Sequence, residues 1–242
     1  MLPRALAAVV AVLLVAAPAA GAASLTGKVV VLDPGHNGGN ARAAAQINRL
    51  VPIGQGQKKA CNTTGTATNS GYAEAAFTWD VAKRARALLR SRGASVTLTR
   101  QDNTSVGPCV NVRAQIANRA HADATVSIHA DGAAAGARGF HVIEPARIPG
   151  LTDDIFAPSH RLALALRERF RVVTGEPYAN YIGTRGLDRR SDLGGLRLAD
   201  VPAVFIECGN MRNASDARRL TSAADRERIA RGIVDGIARF LR

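Results

Sequence analysis

Two histidines and two glutamates of this sequence are of types that bind metal ions or move protons. His36, His129 and Glu207 each stand at or just past the end of a short apolar run, and Glu74 stands where a helical pattern begins. Two imidazoles and a carboxylate, with one open position, form the ligand set of a catalytic zinc ion. A second carboxylate outside that set can take a proton from water. These residue types indicate zinc-dependent hydrolysis, provided that the fold brings them together.

The elements that must position these residues alternate between strands and helices. Apolar runs predict strands over residues 28–32, 95–99, 124–129, 139–143 and 201–207, and spacings of three and four predict helices over residues 73–92, 110–120, 158–172 and 225–241. This alternation is typical of a single-domain α/β fold with a mostly parallel central sheet flanked by helices on both faces. Ligands of such sheets bind beyond the carboxyl ends of the strands, so we expect the four side chains to meet at that edge.

Glu207 is predicted to be the proton-transferring carboxylate of this set. It follows Val204–Ile206, and partial shielding from water raises the pKa of a carboxyl group and suits a general base. The alternative interpretation is a buried ion pair with one of the many arginines. Three further histidines, His121, His141 and His160, lack this placement and are interpreted as structural, although His141 stands near the same edge.

The amino terminus has the pattern of a secretory signal peptide. Arg4 is followed by an apolar run over residues 5–17 and by small residues up to Ala23. A membrane anchor is the alternative, but the run is shorter than the roughly 20 apolar residues of a spanning helix. We therefore predict a signal peptide over residues 1–23 and one domain over residues 24–242, secreted to the periplasm or cell wall without stable membrane insertion.

The chain is strongly basic, with a formal net charge of +13. Its basic residues are scattered, which fits either a solvated face or attraction to an anionic cell envelope. Aromatic residues make up only 4% of the chain, so interleaved stacking platforms for single-stranded nucleic acid are not evident. The basic charge alone would also fit nucleic acid, but the predicted export favours a different polyanion.

Three cysteines permit one disulfide in an oxidising compartment. Cys61 and Cys109 stand in polar, turn-rich stretches, whereas Cys208 lies in an apolar run. We predict a Cys61–Cys109 bond and a buried, free Cys208. The bond would hold a long polar segment, residues 37–71, whose length inside a compact domain is often functional.

Five groups of residues follow one another in a recognisable order. They are Asp33-Pro-Gly-His36 with Gly38-Gly39, Glu74 with residues 81–93, Thr99-Arg100 with Asp102, Arg113 and Asp123, Ser127-Ile-His129-Ala-Asp131, and Pro202 to Met211. This order resembles the zinc-dependent N-acetylmuramoyl-L-alanine amidases of the type 3 family, across roughly residues 26–242. Gly132 departs from the alanine usual there, and the cysteine-containing loop over residues 37–71 is also different.

The resemblance implies one zinc ion per chain, with His36, Glu74 and His129 as ligands and Glu207 as the catalytic base. Its partners would be peptidoglycan and muramyl-peptide fragments. We separately predict that the catalytic domain spans residues 24–242, after the leader, and acts as a monomer. The reaction would cut the amide bond between N-acetylmuramic acid and L-alanine of the stem peptide. We further expect Asp131 or Asp33 to orient a ligand imidazole.

Two alternatives from the same residues remain open. A zinc peptidase that acts within the stem peptide would use the same metal ligands. An envelope-binding module without turnover would need no general base, so the presence of Glu207 argues against it. A nucleic-acid binder is disfavoured by the leader and by the lack of a binding motif.

Overall fold

The computed structural model describes residues 24–242. The signal peptide predicted over residues 1–23 lies outside this part of the chain. Within residues 24–242, no helix combines the length and the apolar character needed to span a bilayer.

Eight strands and seven α-helices make up the described chain. The strands are β1 (Val29–Pro34), β2 (Leu50–Pro52), β3 (Lys58–Ala60), β4 (Ser95–Leu98), β5 (Ala124–Asp131), β6 (His141–Pro145), β7 (Leu187–Arg190) and β8 (Ala203–Asn210). The helices are α1 (Ala44–Ile47), α2 (Glu74–Ser91), α3 (Val110–Arg119), α4 (Phe156–Thr174), α5 (Gly194–Arg197), α6 (Ala214–Thr221) and α7 (Ala223–Phe240).

Six strands form one sheet in the order β4-β1-β5-β8-β6-β7, and β2 pairs with β3 as a separate hairpin. The pairs from β4 to β8 are parallel, whereas β6 is antiparallel to β8. The prediction of a single α/β domain with a mostly parallel central sheet is therefore confirmed.

Helices cover both faces of this sheet because its central strands are apolar on both sides. Val30 and Leu32 of β1 pack in the main core with α2, α4 and α7, whereas Val31 packs against Ala117 of α3 on the other face. Helix α7 lies very close to α4, since a Cβ at Gly236 would stand 2.6 Å from the Cα atom of Leu166. On the second face, α3 and the short α5 flank a cavity.

Two strands are longer than the apolar runs predict, and this changes where the site lies. Strands β5 and β8 continue to Asp131 and Asn210, so His129 and Glu207 lie within strands and are register partners. His129 and Glu207 thus share one face of the sheet near its carboxyl edge, whereas His36 lies in the loop after β1 and Glu74 at the start of α2. The sequence pattern also missed β7, α6 and the β2–β3 hairpin.

The predicted cysteine pairing is confirmed. Cys61 and Cys109 form a disulfide, and Cys208 is buried and free. The bond joins the segment after β3 to the residue that precedes α3. It therefore fastens the long polar segment to the helix that covers the second face.

A buried carboxyl pair near the end of β8 makes stability depend on pH. Burial and then the charge of Asp216 raise the pKa of Glu176 from 4.5 to about 7, against the opposing charge of Arg219. Between these two pH values the folded state holds a proton that the unfolded state releases. The free energy of unfolding therefore falls as the pH rises from about 4.5 to about 7, by at most ~3 kcal/mol from this group.

Glu176→Gln is expected to flatten this fall and to be more stable than the wild type at pH 8, because the amide stays uncharged. Urea unfolding at pH 5 and pH 8 measures the difference. Glu168→Gln, at an exposed position of α4, is the matched control and should leave the pH dependence unchanged. Equal falls in the wild type and Glu176→Gln would contradict the assignment.

Candidate functional site

His36 lies in the loop after β1 and is held on both sides. Its backbone adopts a left-handed conformation with φ 58°, and its carbonyl oxygen accepts a hydrogen bond of 2.8 Å from Arg113. Nδ1 of its ring lies 3.1 Å from the carbonyl oxygen of Thr63. The ring therefore turns Nε2 towards Glu74.

Glu74 is the first residue of α2, and its buried carboxylate lies between the two histidines. Oε1 lies 3.0 Å from Nε2 of His36 and 3.0 Å from Nδ1 of His129. Oε2 accepts a hydrogen bond of 2.9 Å from the backbone N–H of Thr66. Burial raises the pKa of Glu74, but the charges and hydrogen bonds of His36 and His129 outweigh it and hold the pKa well below its usual range.

These three side chains fit a zinc ion. Each of His36, Glu74 and His129 offers one ligand atom, and these atoms lie within 4.8 Å of one another. Two imidazole nitrogens and one carboxylate oxygen are the donors of a three-residue catalytic zinc site with an open position. The ring of His129 also stacks on Phe205 of β8, with centroids 5.1 Å apart, which fixes its plane.

Glu207 stands beside this cluster as the register partner of His129. Its Oε2 atom is buried without a hydrogen-bond partner among residues 24–242. Burial, followed by the charges of Glu74 and Asp131, raises the pKa of Glu207 well above its usual value, and Arg190 opposes the shift. The raised pKa was expected from the sequence. The alternative of a buried ion pair is not found in the described chain.

The expected orientation of a ligand imidazole by Asp33 or Asp131 is not found. Asp33 instead accepts hydrogen bonds from Ser127 and Thr99 and pairs with Arg113. Asp131 accepts a hydrogen bond of 3.0 Å from the hydroxyl of Tyr181. The partner of the His36 ring is the Thr63 backbone.

Two buried arginines join the loops that carry the candidate ligands. Arg113 donates to the carboxylate of Asp33 and to the carbonyl oxygens of Pro34 and His36. Arg100 donates to the carbonyl oxygens of Pro34 and Ala75, and so ties the end of β1 to the start of α2. Neither arginine was assigned a role from the sequence, although both stand in the motifs of the resemblance.

The glycine at position 132, where the family usually has alanine, is explained by the neighbouring side chain of Thr66. A Cβ at Gly132 would lie 2.5 Å from the hydroxyl oxygen of Thr66. Thr66 belongs to the long polar segment and binds Glu74 through its backbone. Glycine at this position therefore makes room for the segment that holds a candidate ligand.

The remaining histidines differ in their surroundings. His160 lies 2.6 Å from a carboxylate oxygen of Glu144, and His121 occupies a turn with φ 47°. His141 is buried and is the register partner of Glu207 on β6. It therefore adjoins the site, as its position in the sequence suggested.

Gly35 has a packing reason to lack a side chain. A Cβ at this residue would lie 2.5 Å from Nε2 of His129. Gly35→Ala is therefore expected to displace that ring and to lower zinc affinity about 10–100-fold, the range seen when the support of a ligand is lost. Competition with a chromogenic chelator measures the affinity. Gly136→Ala, where a Cβ meets nothing within 4 Å, should retain it; equal affinities would contradict the prediction.

A cavity of about 450 Å³ opens over the candidate residues. It extends along the second face of the sheet, between α3 and α5, and its walls include Lys59 of the hairpin and Phe205. The cluster and Glu207 both line it. A substrate bound there would reach the ligand positions and the candidate base together.

Comparison with known proteins agrees with this geometry. The family model described as N-acetylmuramoyl-L-alanine amidase matches residues 30–239. An N-acetylmuramoyl-L-alanine amidase of Mycobacterium tuberculosis is 45% identical over 219 residues, which cover 90% of this chain and 88% of the relative. Crystal structures of the N-acetylmuramyl-L-alanine amidase Ami1 from Mycobacterium smegmatis and Mycobacterium abscessus are 44% and 43% identical. Each has a TM-score of 0.85 and covers 90% of this chain, which spans 99% and 100% of those chains. The chain therefore belongs to the N-acetylmuramoyl-L-alanine amidase family.

Proposed function

We propose that this protein is a zinc-dependent peptidoglycan amidase that hydrolyses the bond between N-acetylmuramic acid and L-alanine of the stem peptide. The convergence of His36, Glu74 and His129 on one point, with Glu207 beside them, is the observation that carries the proposal. The family and its mycobacterial relatives support the choice of substrate. The physiological role would be cell-wall remodelling or recycling.

The chemistry requires a metal site and a group that transfers a proton. His36, Glu74 and His129 would hold the zinc ion, which when bound supplies Lewis-acid polarisation and makes water more acidic. Glu207 takes the proton of the attacking water and delivers it to the leaving nitrogen of L-alanine. Its raised pKa favours the protonated state that the second transfer needs.

The proposal extends to the localisation and the oligomeric state of the protein. A leader over residues 1–23 would direct the catalytic domain, residues 24–242, to the periplasm or cell wall. There it would act as a monomer on peptidoglycan and muramyl-peptide fragments. The formal net charge of +13 favours approach to an anionic envelope through a field that salt screens.

Mass spectrometry of the products from a muramyl-peptide fragment tests the proposal. The zinc-loaded protein should release the intact peptide, and the chelated protein should release none. Cleavage inside the peptide would instead identify a peptidase with the same ligands. Bound zinc without any cleavage would overturn the catalytic proposal and favour an envelope-binding role.

A further inference from the structure

Two buried polar atoms without partners stand on directly opposite residues next to the site. His141 of β6 and Glu207 of β8 are register partners in an antiparallel pair. Nδ1 of His141 and Oε2 of Glu207 are both buried and have no hydrogen-bond partner among the described residues. An unpaired buried donor or acceptor is unfavourable because it has lost its hydrogen bonds to water without replacement, so two on opposite residues need an explanation.

The sheet geometry allows these two atoms to pair. Side chains of directly opposite residues in an antiparallel pair share a face, with Cβ atoms about 5 Å apart. The pairing requires the side chain of His141 or Glu207 to turn until Nδ1 and Oε2 come within hydrogen-bond distance of each other. The pair supplies one donor and one acceptor, because burial lowers the pKa of His141 and keeps its ring neutral, with a single N–H.

The two oxygens of Glu207 then have different surroundings. Glu207 lines the cavity, but its Oε2 atom is buried. Oε1 is left to face the cavity and to exchange the proton. A donor on the buried oxygen would fix the carboxylate plane and aim Oε1 at the reacting water.

We propose that His141 is a positioning residue for the general base, and that its Nδ1–H donates a hydrogen bond to Oε2 of Glu207. This inference rests on the proposed function, since it concerns the base of that reaction. The ring of His141 is itself held edge-on against Tyr181, with centroids 6.1 Å apart. The hydroxyl of Tyr181 in turn donates a hydrogen bond to Asp131, which lines the cavity.

His141→Phe and His141→Asn separate the hydrogen bond from packing. Phenylalanine keeps a ring and removes the donor, so kcat should fall about 10–100-fold, the equivalent of a hydrogen bond to a charged group, while KM and zinc content stay unchanged. Asparagine restores an N–H near the Nδ1 position and should recover most of kcat. The matched control is His160→Phe, outside the cavity, which should leave kcat unchanged.

A measurement that needs no turnover keeps the inference testable if His141→Phe fails to fold. In the zinc-loaded wild type, nitrogen-15 NMR of the imidazoles should show a protonated Nδ1 at His141, and its resonance should shift in Glu207→Ala. An active wild type with an unchanged kcat in His141→Phe, or a His141 ring protonated on Nε2 alone, would overturn this inference and leave the amidase proposal intact. An inactive wild type would count against the proposed function itself.

Discussion

Glu207→Gln is expected to retain zinc and to lose amidase turnover by about 10²–10⁴-fold, the usual contribution of general acid–base catalysis. The amide keeps the shape of the side chain but neither accepts the proton of water nor returns it to the leaving nitrogen. The substitution should not unfold the protein. Burial already disfavours the charged form of Glu207. Removing that charge therefore leaves no buried cation without its counter-ion.

The comparison with Glu74→Gln distinguishes a base from a ligand. Glu74 lies 3.0 Å from both histidines, so its substitution should lower zinc content as well as activity. Steady-state kinetics on a muramyl-peptide fragment, with zinc measured on the same samples, separates the two outcomes. Full activity in Glu207→Gln would remove Glu207 from the mechanism, and loss of zinc in that variant would make it a ligand.

The meeting of His36, His129 and Glu207 was predictable because it follows from topology. Strands β1, β5 and β8 are adjacent and parallel, so residues near their carboxyl ends come together whatever their side chains are. The apolar runs that mark these strands were read correctly from the sequence. The roles of His36, Glu74, His129 and Glu207 stay predictions.

The point at which β5 and β8 end, relative to His129 and Glu207, was not predictable from the apolar pattern. Asp131 and Asn210 are polar, and a polar residue ordinarily marks the end of a strand. Both continue the ladder because backbone pairing does not depend on the side chain, and they face each other across β5 and β8. His129 and Glu207 therefore lie on the face of the sheet, where the cavity reaches them.

The groups that orient the candidate ligands were also hidden from the sequence. Thr63 holds His36 through a carbonyl oxygen, and Thr66 holds Glu74 through a backbone N–H. Every residue carries a carbonyl and almost every residue an N–H, so no residue type announces such a role. The expectation that a carboxylate orients a ligand imidazole was wrong for this reason. Asp33 instead pairs with Arg113.

The buried ion pair between Arg113 and Asp33 leads to the second prediction, which concerns stability. Arg113→Met is expected to lower the free energy of unfolding at pH 7 by about 3–5 kcal/mol, the loss typical when one partner of a buried ion pair is removed. Burial raises the pKa of Asp33, but Arg113, Ser127 and Thr99 outweigh it and hold the pKa at about 2. At pH 7 the variant would therefore keep a buried carboxylate that has lost its cation. The same substitution frees the loop that carries His36, so zinc affinity should fall as well.

The double variant Asp33→Asn with Arg113→Met tests this explanation, because it removes the stranded charge while the loop contacts stay lost. Urea unfolding of the metal-free proteins should show that the double variant is more stable than Arg113→Met alone. Its zinc affinity should nevertheless remain low, since the carbonyl oxygen of His36 still lacks the donor at 2.8 Å. Arg147→Met, at an exposed ion pair, should change neither quantity. If Arg113→Met unfolds like the wild type, the Asp33–Arg113 pair does not support the site; if the double variant is the less stable of the two, hydrogen bonds of Asp33 to Ser127 and Thr99 outweigh its charge.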